Sequence, residues 1–169
     1  MLEVKFYDTV DDSLLKFAVI ISQSNGKWVI CKHKERNTWE VPGGHRESNE
    51  DIIDTAKREL FEETGAIDFD ISPICIYSVT APDNFDGVET FGKLFFAEIH
   101  TFEKELHSEI EKIAIMDELP INWTYPEIQP KLLEEARKRG FLPKKDEIKW
   151  LFFDVGSTLV DESKVYEDR

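Results

Sequence analysis

The amino-acid sequence predicts an α/β fold in which a sheet is layered against helices. Several stretches alternate apolar and polar residues, as half-buried strands do. Two other stretches repeat their apolar residues at the spacing of one helical face. Because the helical stretches interrupt the series of strands, the expected architecture is an α/β sandwich.

The first part of the chain predicts a short lead-in strand and then a β-hairpin. Residues 1–13 are expected to hold the lead-in strand. Residues 14–22 and 27–33 have the composition of strands, and residues 24–26, Ser-Asn-Gly, form a turn signal between them. These two strands are therefore predicted to pair.

A brief strand and a bend follow the hairpin. Residues 39–41 are expected to be a strand that Pro42 ends, because proline has no backbone N–H to donate. Gly43 and Gly44 then permit a tight bend.

Residues 51–64 are predicted to form the first helix. Ser48 followed by Asp51 resembles a capping box, and Gly65 is a helix stop signal. The apolar residues that recur on one face are Ile52, Ala56 and Leu60.

The second half of the chain predicts three more strands and a second helix. The strands are expected at residues 67–80, 92–100 and 109–116, with a loop at 81–89 that borders the substrate. Residues 126–139 have the pattern of an amphipathic helix, with its regular part beginning near Pro130.

Composition limits the classes of partner. The 169 residues suffice for one domain with a core, and the formal net charge is −14. This charge argues against a nucleic-acid polymer and against an anionic membrane surface. A small anionic substrate is compatible with it if metal ions screen the substrate locally.

Cysteine usage and hydropathy predict a cytoplasmic protein. Cys31 and Cys75 lie far apart and fit no metal-binding spacing, so two buried reduced thiols are expected. The N-terminus has no basic region followed by an apolar run, and no apolar stretch reaches about 18 residues.

The first helix carries a cluster of carboxylates. Glu59 precedes Glu62 by three residues and Glu63 by four, which places the three on nearly one side, where like charges repel. Arg58 can neutralise one charge, but not three. Carboxylate oxygens beside a glycine-rich loop suit Mg²⁺ or Mn²⁺, and the alternative is a solvated acidic helix face.

A longer pattern favours the metal site. In order and spacing, this pattern resembles the signature box of the Nudix hydrolases, and it consists of Gly44, Glu50, Arg58-Glu59-Leu60, Glu62-Glu63 and Gly65. The resemblance implies a Nudix-like α/β/α sandwich with a mixed sheet between helices. It also implies a metal-dependent pyrophosphohydrolase that cleaves a phosphoanhydride bond in a nucleoside triphosphate, oxidised ones included, or in another nucleoside diphosphate derivative.

The resemblance also assigns roles. The residues expected to hold Mg²⁺ or Mn²⁺ are Glu59, Glu62, Glu63 and Gly43, the last through its carbonyl. The alternative is that one of these carboxylates, with Glu59 as the first choice, acts as the general base instead of binding the metal. Glu59, Glu62 and Arg58 are the expected catalytic residues. Arg58 and Glu50 are expected to brace the loop and to orient the carboxylates; simple helix capping is the alternative for Glu50.

Other candidates lack a motif that fixes them. Either Glu109 or Glu111 can complete the site, and both can equally be exposed strand residues. The histidines, which show no ligand spacing, are His33, His45, His100 and His107, and His45 is the one placed to touch phosphate. The aromatic residues that can stack on a base or fill the core are Trp39, Phe91, Tyr77 and Tyr125. The sequence assigns no substrate-binding residue.

The C-terminal tail differs from the rest of the chain. We expect a Nudix domain at residues 1–143 and a separate tail at 144–169. Residues 148–161 resemble the first motif of haloacid-dehalogenase-like hydrolases, with Asp154 as the nucleophile, but Gly156 replaces that family's second aspartate. About 20 residues are too few for a second domain, so a catalytically silent tail is expected, with an active phosphatase as the alternative.

Two further questions stay open at this point. The fold can serve as a nucleotide-sensing module without catalysis, although a pure binder has no need of three clustered glutamates. The quaternary arrangement is also open, with a homodimer as one alternative.

Overall fold

The structure is a computed structural model that describes residues 1–83, 85–104 and 110–143. Backbone contacts divide the chain into two units, Met1–Leu133 and Glu134–Arg169. The expected boundary between residues 143 and 144, and everything predicted for the tail, lies at or beyond the end of the described residues and stays a prediction.

The described residues form seven strands and two α-helices. The strands are β1 Glu3–Tyr7, β2 Leu15–Ser24, β3 Lys27–His33, β4 Gly43–His45, β5 Ala66–Thr80, β6 Thr90–Phe102 and β7 Ile110–Met116. The helices are α1 Ile52–Thr64 and α2 Gln129–Lys138. The other predicted elements are present, with ends that differ by a few residues, but no strand covers 39–41, and β4 occupies the position of the bend expected at Gly43 and Gly44. Helix α2 starts close to Pro130 as expected.

The strands form one mixed sheet within the first unit. Its order is β1-β5-β6-β2-β3-β7, with β4 paired to β2. β2 and β6 run parallel, and the other described pairs are antiparallel. The prediction of an α/β fold with a mixed sheet is therefore confirmed.

The predicted hairpin joins β2 to β3. Asn25 and Gly26 both adopt left-handed backbone conformations, with φ of 53° and 79°. Two successive left-handed residues match the twist of paired strands, which is why Asn-Gly is a favoured hairpin turn.

β2 and β3 separate beyond this turn, and residues 39–45, here called the fork segment, fill the space between them. Glu40 and Cys31 exchange backbone hydrogen bonds of 3.0 Å on the β3 side. On the β2 side the Ile20 N–H donates to the Pro42 carbonyl at 2.9 Å, and β4 continues the pairing. The strand expected at 39–41 is wrong, since only isolated bridges form there, from Glu40 to Cys31 and from Trp39 to Trp123.

Helix α1 packs on one face of the sheet. The apolar side chains of this core, buried between helix and sheet, include Ile52, Ala56 and Leu60 from α1 and Ala18, Ile20, Ile76 and Phe95 from the strands. Gly65 ends the helix at φ 78°, and its N–H donates to the Phe61 carbonyl at 2.8 Å. The predicted helix face and stop signal are confirmed.

The predicted capping box is wrong. Asp51 is the N-cap residue, and its side chain makes no capping hydrogen bond. Asn49 adopts a left-handed conformation, φ 62°, which turns the chain between Ser48 and the helix. The Glu50 carboxylate holds this turn instead, because it accepts hydrogen bonds from the Glu47 N–H and the Thr55 hydroxyl.

Three further features concern the cysteines, the loop at 81–89 and the helices. Cys31 and Cys75 are buried free thiols, as predicted. The end of the loop at 81–89 is anchored, because Glu89 accepts hydrogen bonds from the hydroxyls of Tyr7 and Ser78. None of the helices in the described part of the chain is both long enough and apolar enough to span a membrane.

Candidate active site

Helix α1 presents its acidic residues at the edge of its buried face. Glu63 is buried, its side chain only 11% exposed, and Glu59 is 12% exposed. Glu62 lies further out, at 44%. Because Leu60 anchors the same turn in the core, the helix cannot rotate these carboxylates freely into water.

Arg58 ties the acidic helix to the loop before it. Its guanidinium donates to Glu50 from Nε at 2.8 Å and from Nη2 at 3.1 Å. It also donates to Glu59 at 2.9 Å, to Glu62 at 3.3 Å and to the His45 carbonyl at 2.9 Å. A planar guanidinium can make such divergent contacts, whereas an ammonium cannot make them in the same plane. The structure thus brings Glu50, Arg58, Glu59 and Glu62 together.

Glu63 turns away from this group toward the fork segment. Its Oε1 accepts a hydrogen bond from the Gly43 N–H at 2.9 Å. Its Oε2 lies 3.6 Å from Nε2 of His33, and the same nitrogen lies 3.1 Å from Oε1 of Glu40. Glu63 therefore belongs to a second set of polar residues, together with His33, Glu40 and the Gly43 N–H.

The double glycine allows the loop to approach the helix. A Cβ atom on Gly44 would overlap the carboxylate of Glu59, and one on Gly43 would lie 2.7 Å from the Ala18 carbonyl oxygen. Only glycine fits at either position without displacement of its neighbours. This close approach keeps backbone and carboxylate oxygens within one small volume.

Burial and ion pairing drive the pKa values of these carboxyl groups apart. Burial raises the pKa of Glu63 to about 8, and the neighbouring carboxylates add to the shift. Burial also raises the pKa of Glu59, although Arg58 opposes the change. Hydrogen bonds from Arg58 lower the pKa of Glu50 to about 2. Glu50 is therefore a permanent anion that binds Arg58, while Glu59 and Glu63 lack full charge compensation.

The donor set fits a hard divalent cation in its chemistry. Within the described residues, no three His, Cys, Asp or Glu side chains converge as a ready ligand set, because Glu59 and Glu62 face Arg58 while Glu63 faces Gly43. The oxygen donors are nevertheless of the type that Mg²⁺ and Mn²⁺ prefer. A cation would supply the positive charge that buried Glu59 and Glu63 lack.

A cavity of about 730 Å³ opens beside Glu63 on the sheet face opposite α1. Phe17, Val19, Tyr77 and Val79 form its floor. These positions alternate along β2 and β5 with residues of the α1 core, so they face the other way. The cavity has the size and mixed lining of a small-molecule site.

Some of the histidines and aromatic residues considered as site candidates line the cavity, and others lie elsewhere. The ones that line the cavity are His33, His45, Tyr77 and Tyr125. The ring of His45 packs on Phe17 with centroids 4.5 Å apart. Phe91 instead packs beside the α1 core, and His100 pairs with Asp70 at 2.9 Å.

Two cavity residues near Glu63 were not predicted as site residues, Glu40 and Gln129. Both are buried, at 6% exposure. Glu40 is preceded by the Trp39 of the fork segment, and a buried charge cannot be inferred from its position in a short strand. Gln129 opens α2, where its amide resembles an ordinary exposed helix residue in the sequence.

Four of the weaker candidates cannot be placed. Glu109, His107 and Asp154 lie outside the described residues, as does the side chain of Glu111. Their roles stay predictions.

Comparison with known proteins identifies relatives. The family model described as NUDIX domain matches residues 13–145. The chain is 29% identical over 121 residues to YtkD of Bacillus subtilis (strain 168), whose name as an 8-oxo-dGTP diphosphatase is provisional; the match covers 71% of this chain and 73% of YtkD. The human protein named nucleoside diphosphate-linked moiety X motif 6 is 59% identical, but over 48 residues that cover 27% of this chain and 15% of its own.

Solved structures agree with the fold. A mutant of the Bacillus subtilis pyrophosphohydrolase BsRppH matches with a TM-score of 0.68 and 25% identity, over 83% of this chain and 92% of that one. The C. elegans Ap4A hydrolase matches with a TM-score of 0.53 and 19% identity, over 74% and 97% of the two chains, which supports the fold alone. With the family model covering most of its length, the chain belongs to the NUDIX domain family.

Proposed function

We propose that the protein is a metal-dependent pyrophosphohydrolase that cleaves a phosphoanhydride bond in a nucleoside triphosphate or another nucleoside diphosphate derivative. The observation that carries this proposal is the acidic cluster of Glu59, Glu62 and Glu63 on α1, of which Glu63 lines a cavity of about 730 Å³. The names of two similar proteins, an 8-oxo-dGTP diphosphatase and a pyrophosphohydrolase, support the same class of substrate.

We assign each residue of the cluster a role. Glu59, Glu62, Glu63 and the Gly43 carbonyl would hold the metal ion, for which Mg²⁺ and Mn²⁺ are the candidates. When bound, such an ion neutralises phosphate charge and lowers the pKa of water. Arg58 positions Glu59 and Glu62, and Glu50 positions Arg58.

Glu59 is our first choice as the general base. A base must be partly deprotonated at working pH and must also accept a proton readily, which requires a raised pKa. Burial raises the pKa of Glu59. The pKa of Glu63 is also raised, but its hydrogen bond with Gly43 directs it toward the fork segment.

The experiment is phosphorus NMR of a nucleotide panel incubated with the full chain and Mg²⁺ or Mn²⁺. We expect release of pyrophosphate or of a nucleoside monophosphate. Glu59→Gln, Glu62→Gln and Glu63→Gln should each reduce turnover at least about tenfold, since each removes a ligand charge without changing side-chain size.

Asp54→Asn is the matched control. Asp54 lies on the exposed side of the same helix, so this variant loses one negative charge outside the cluster and should keep full activity. Full activity in all three glutamine variants would disprove the proposal. Binding of nucleotides without any turnover would instead support the sensing module on the same fold.

The setting of the protein is also part of the proposal. We place it in the cytoplasm, which the two buried free thiols support. Residues 144–169 are proposed to be a catalytically silent tail that follows the catalytic domain.

A further inference from the structure

Two largely buried side chains that line the cavity carry polar atoms with no hydrogen-bond partner within the described residues. The Tyr77 hydroxyl is one: the side chain is 6% exposed, lines the cavity and receives no hydrogen bond in the described part of the chain. The Gln129 amide nitrogen is the other, on a side chain that is also 6% exposed. Neither atom is among the fully buried unsatisfied atoms of the described residues, so both reach the open space of the cavity, where a ligand can bond to them.

The fold holds the Tyr77 ring in a fixed place. Tyr77 on β5 is paired directly with Gly92 on β6. A Cβ atom on Gly92 would lie 2.6 Å from both the hydroxyl oxygen and the ring carbon that carries it. The ring therefore lies across Gly92, in space that any other residue would fill, toward Phe17 on the next strand.

Backbone pairing also fixes the orientation of the Gln129 amide. Its oxygen accepts a hydrogen bond from the Val41 N–H at 3.0 Å. Because a backbone N–H can only donate, the amide oxygen must face Val41 and the nitrogen must face away from it. The amide nitrogen is a donor with no capacity to accept, which makes it selective for an acceptor.

We propose that Tyr77 and Gln129 contact the nucleobase of the substrate, and that the Gln129 amide selects a base with a ring carbonyl oxygen. The inference rests on the proposed hydrolysis of a nucleotide. The apolar floor of the cavity suits the faces of a base, and the two polar groups are available for its edge. A carbonyl oxygen accepts the bond from Gln129, whereas an exocyclic amino group would place donor against donor. The Tyr77 hydroxyl can donate or accept, so it adds affinity with less selectivity.

Inosine and adenosine triphosphates are suitable probes, because C6 of the base carries a carbonyl in the first and an amino group in the second. The neighbouring N1 changes with it, from an N–H donor in the first to an acceptor in the second. We expect kcat/KM for ITP to exceed that for ATP at least about tenfold, the effect of roughly one buried hydrogen bond. Gln129→Glu keeps an oxygen for the Val41 N–H and replaces the donor with an acceptor, so it should remove this preference. Tyr77→Phe should reduce kcat/KM for ITP about tenfold.

Two control variants make the same chemical changes outside the cavity. Tyr7→Phe removes a hydroxyl at Glu89, and Gln23→Glu changes an amide on β2. Both should keep the ratio of ITP to ATP turnover. Thermal melting of each variant identifies any that fail to fold, and the Tyr77→Phe and Gln129→Glu variants test the proposal independently of each other.

Calorimetric binding of IMP and AMP without metal separates this inference from the proposed function. Turnover by the wild type with a ratio that neither cavity variant changes would overturn the base contact alone. Tighter binding of IMP, abolished in Gln129→Glu, would support the base contact even if no nucleotide were hydrolysed. Absence of both binding and turnover would overturn both proposals.

Discussion

At the residue scale, the carboxyl groups of the acidic site have pKa values that are shifted in opposite directions. Glu50 is held as an anion by Arg58, with a pKa lowered to about 2, while burial raises the pKa of Glu63 to about 8. The sequence predicts both residues as members of the site from their spacing. It does not predict this division, because burial and hydrogen-bond direction depend on how the loop folds against the helix.

The stability of the protein without metal should fall as pH rises from about 5 to 8. Glu63 binds a proton in the folded state up to a pKa of about 8 but loses it near its ordinary pKa of 4.5 when unfolded. The folded state therefore holds more protons in this window, and stability decreases with pH. Melting temperatures at pH 5.5 and 8 would measure the fall.

Added Mg²⁺ should counteract this loss, with a larger stabilisation at pH 8 than at pH 5.5, because the cation binds the ionised carboxylates and competes with protons. Glu63→Gln should flatten the pH dependence, while Asp54→Asn should preserve it. An equal effect of Mg²⁺ at both pH values would contradict the assignment of Glu63.

At the element scale, Arg58 joins helix α1 to the loop that precedes it. Its five contacts, to Glu50, Glu59, Glu62 and the His45 carbonyl, use the fork geometry of a guanidinium. Arg58→Lys keeps the charge and loses this geometry. We expect at least a tenfold loss of activity and a loss of about 1–2 kcal/mol in the free energy of unfolding, as measured by urea denaturation.

Arg46 offers a comparison on the same loop. It binds Asp12, Leu15 and the Glu50 carbonyl but does not contact the carboxylates of α1. Arg46→Lys should therefore lower stability with a smaller effect on turnover. If both lysine variants lost activity in proportion to stability alone, Arg58 would be no more than a structural residue.

The elements themselves were largely predictable, and the reasons are local. Asn25 and Gly26 determine the hairpin turn, and Gly65 ends α1, because each depends on the backbone freedom of one or two residues. The capping box at Ser48 failed because the left-handed Asn49 redirects the chain, and no spacing rule anticipates that turn. Residues 39–41 were predicted as a strand, but Glu40 bridges only to Cys31 and Trp39 only to Trp123, and a bridge to a residue as distant in sequence as Trp123 cannot be read from a local pattern.

At the scale of the whole molecule, the cavity could not be read from the sequence. The strand order brings Tyr77 on β5 near Phe17 on β2, and the hydrogen bond to the Val41 N–H brings Gln129 from α2 to the same cavity. The sequence identifies Tyr77 as an aromatic residue able to contact a base. It cannot separate Tyr77 from Phe91, which packs on the other side of the sheet.

The tail gives a prediction at the same scale. If residues 144–169 are catalytically silent, Asp154→Asn in the full chain should leave nucleotide hydrolysis unchanged. It should also leave hydrolysis of p-nitrophenyl phosphate at the background rate seen with the wild type. Phosphatase activity that Asp154→Asn alone abolished would show instead that the resemblance to haloacid-dehalogenase-like hydrolases is functional.

The fork segment has a mechanical consequence. Backbone hydrogen bonds join it to β3 at Cys31 and to β2 at Ile20. It also contains Gly44, which lies against the Glu59 carboxylate, and Gly43, whose N–H donates to Glu63. The angle between β2 and β3 and the separation of the carboxylates on α1 should therefore change together. Separation of β2 from β3 would therefore also weaken the binding of a metal ion.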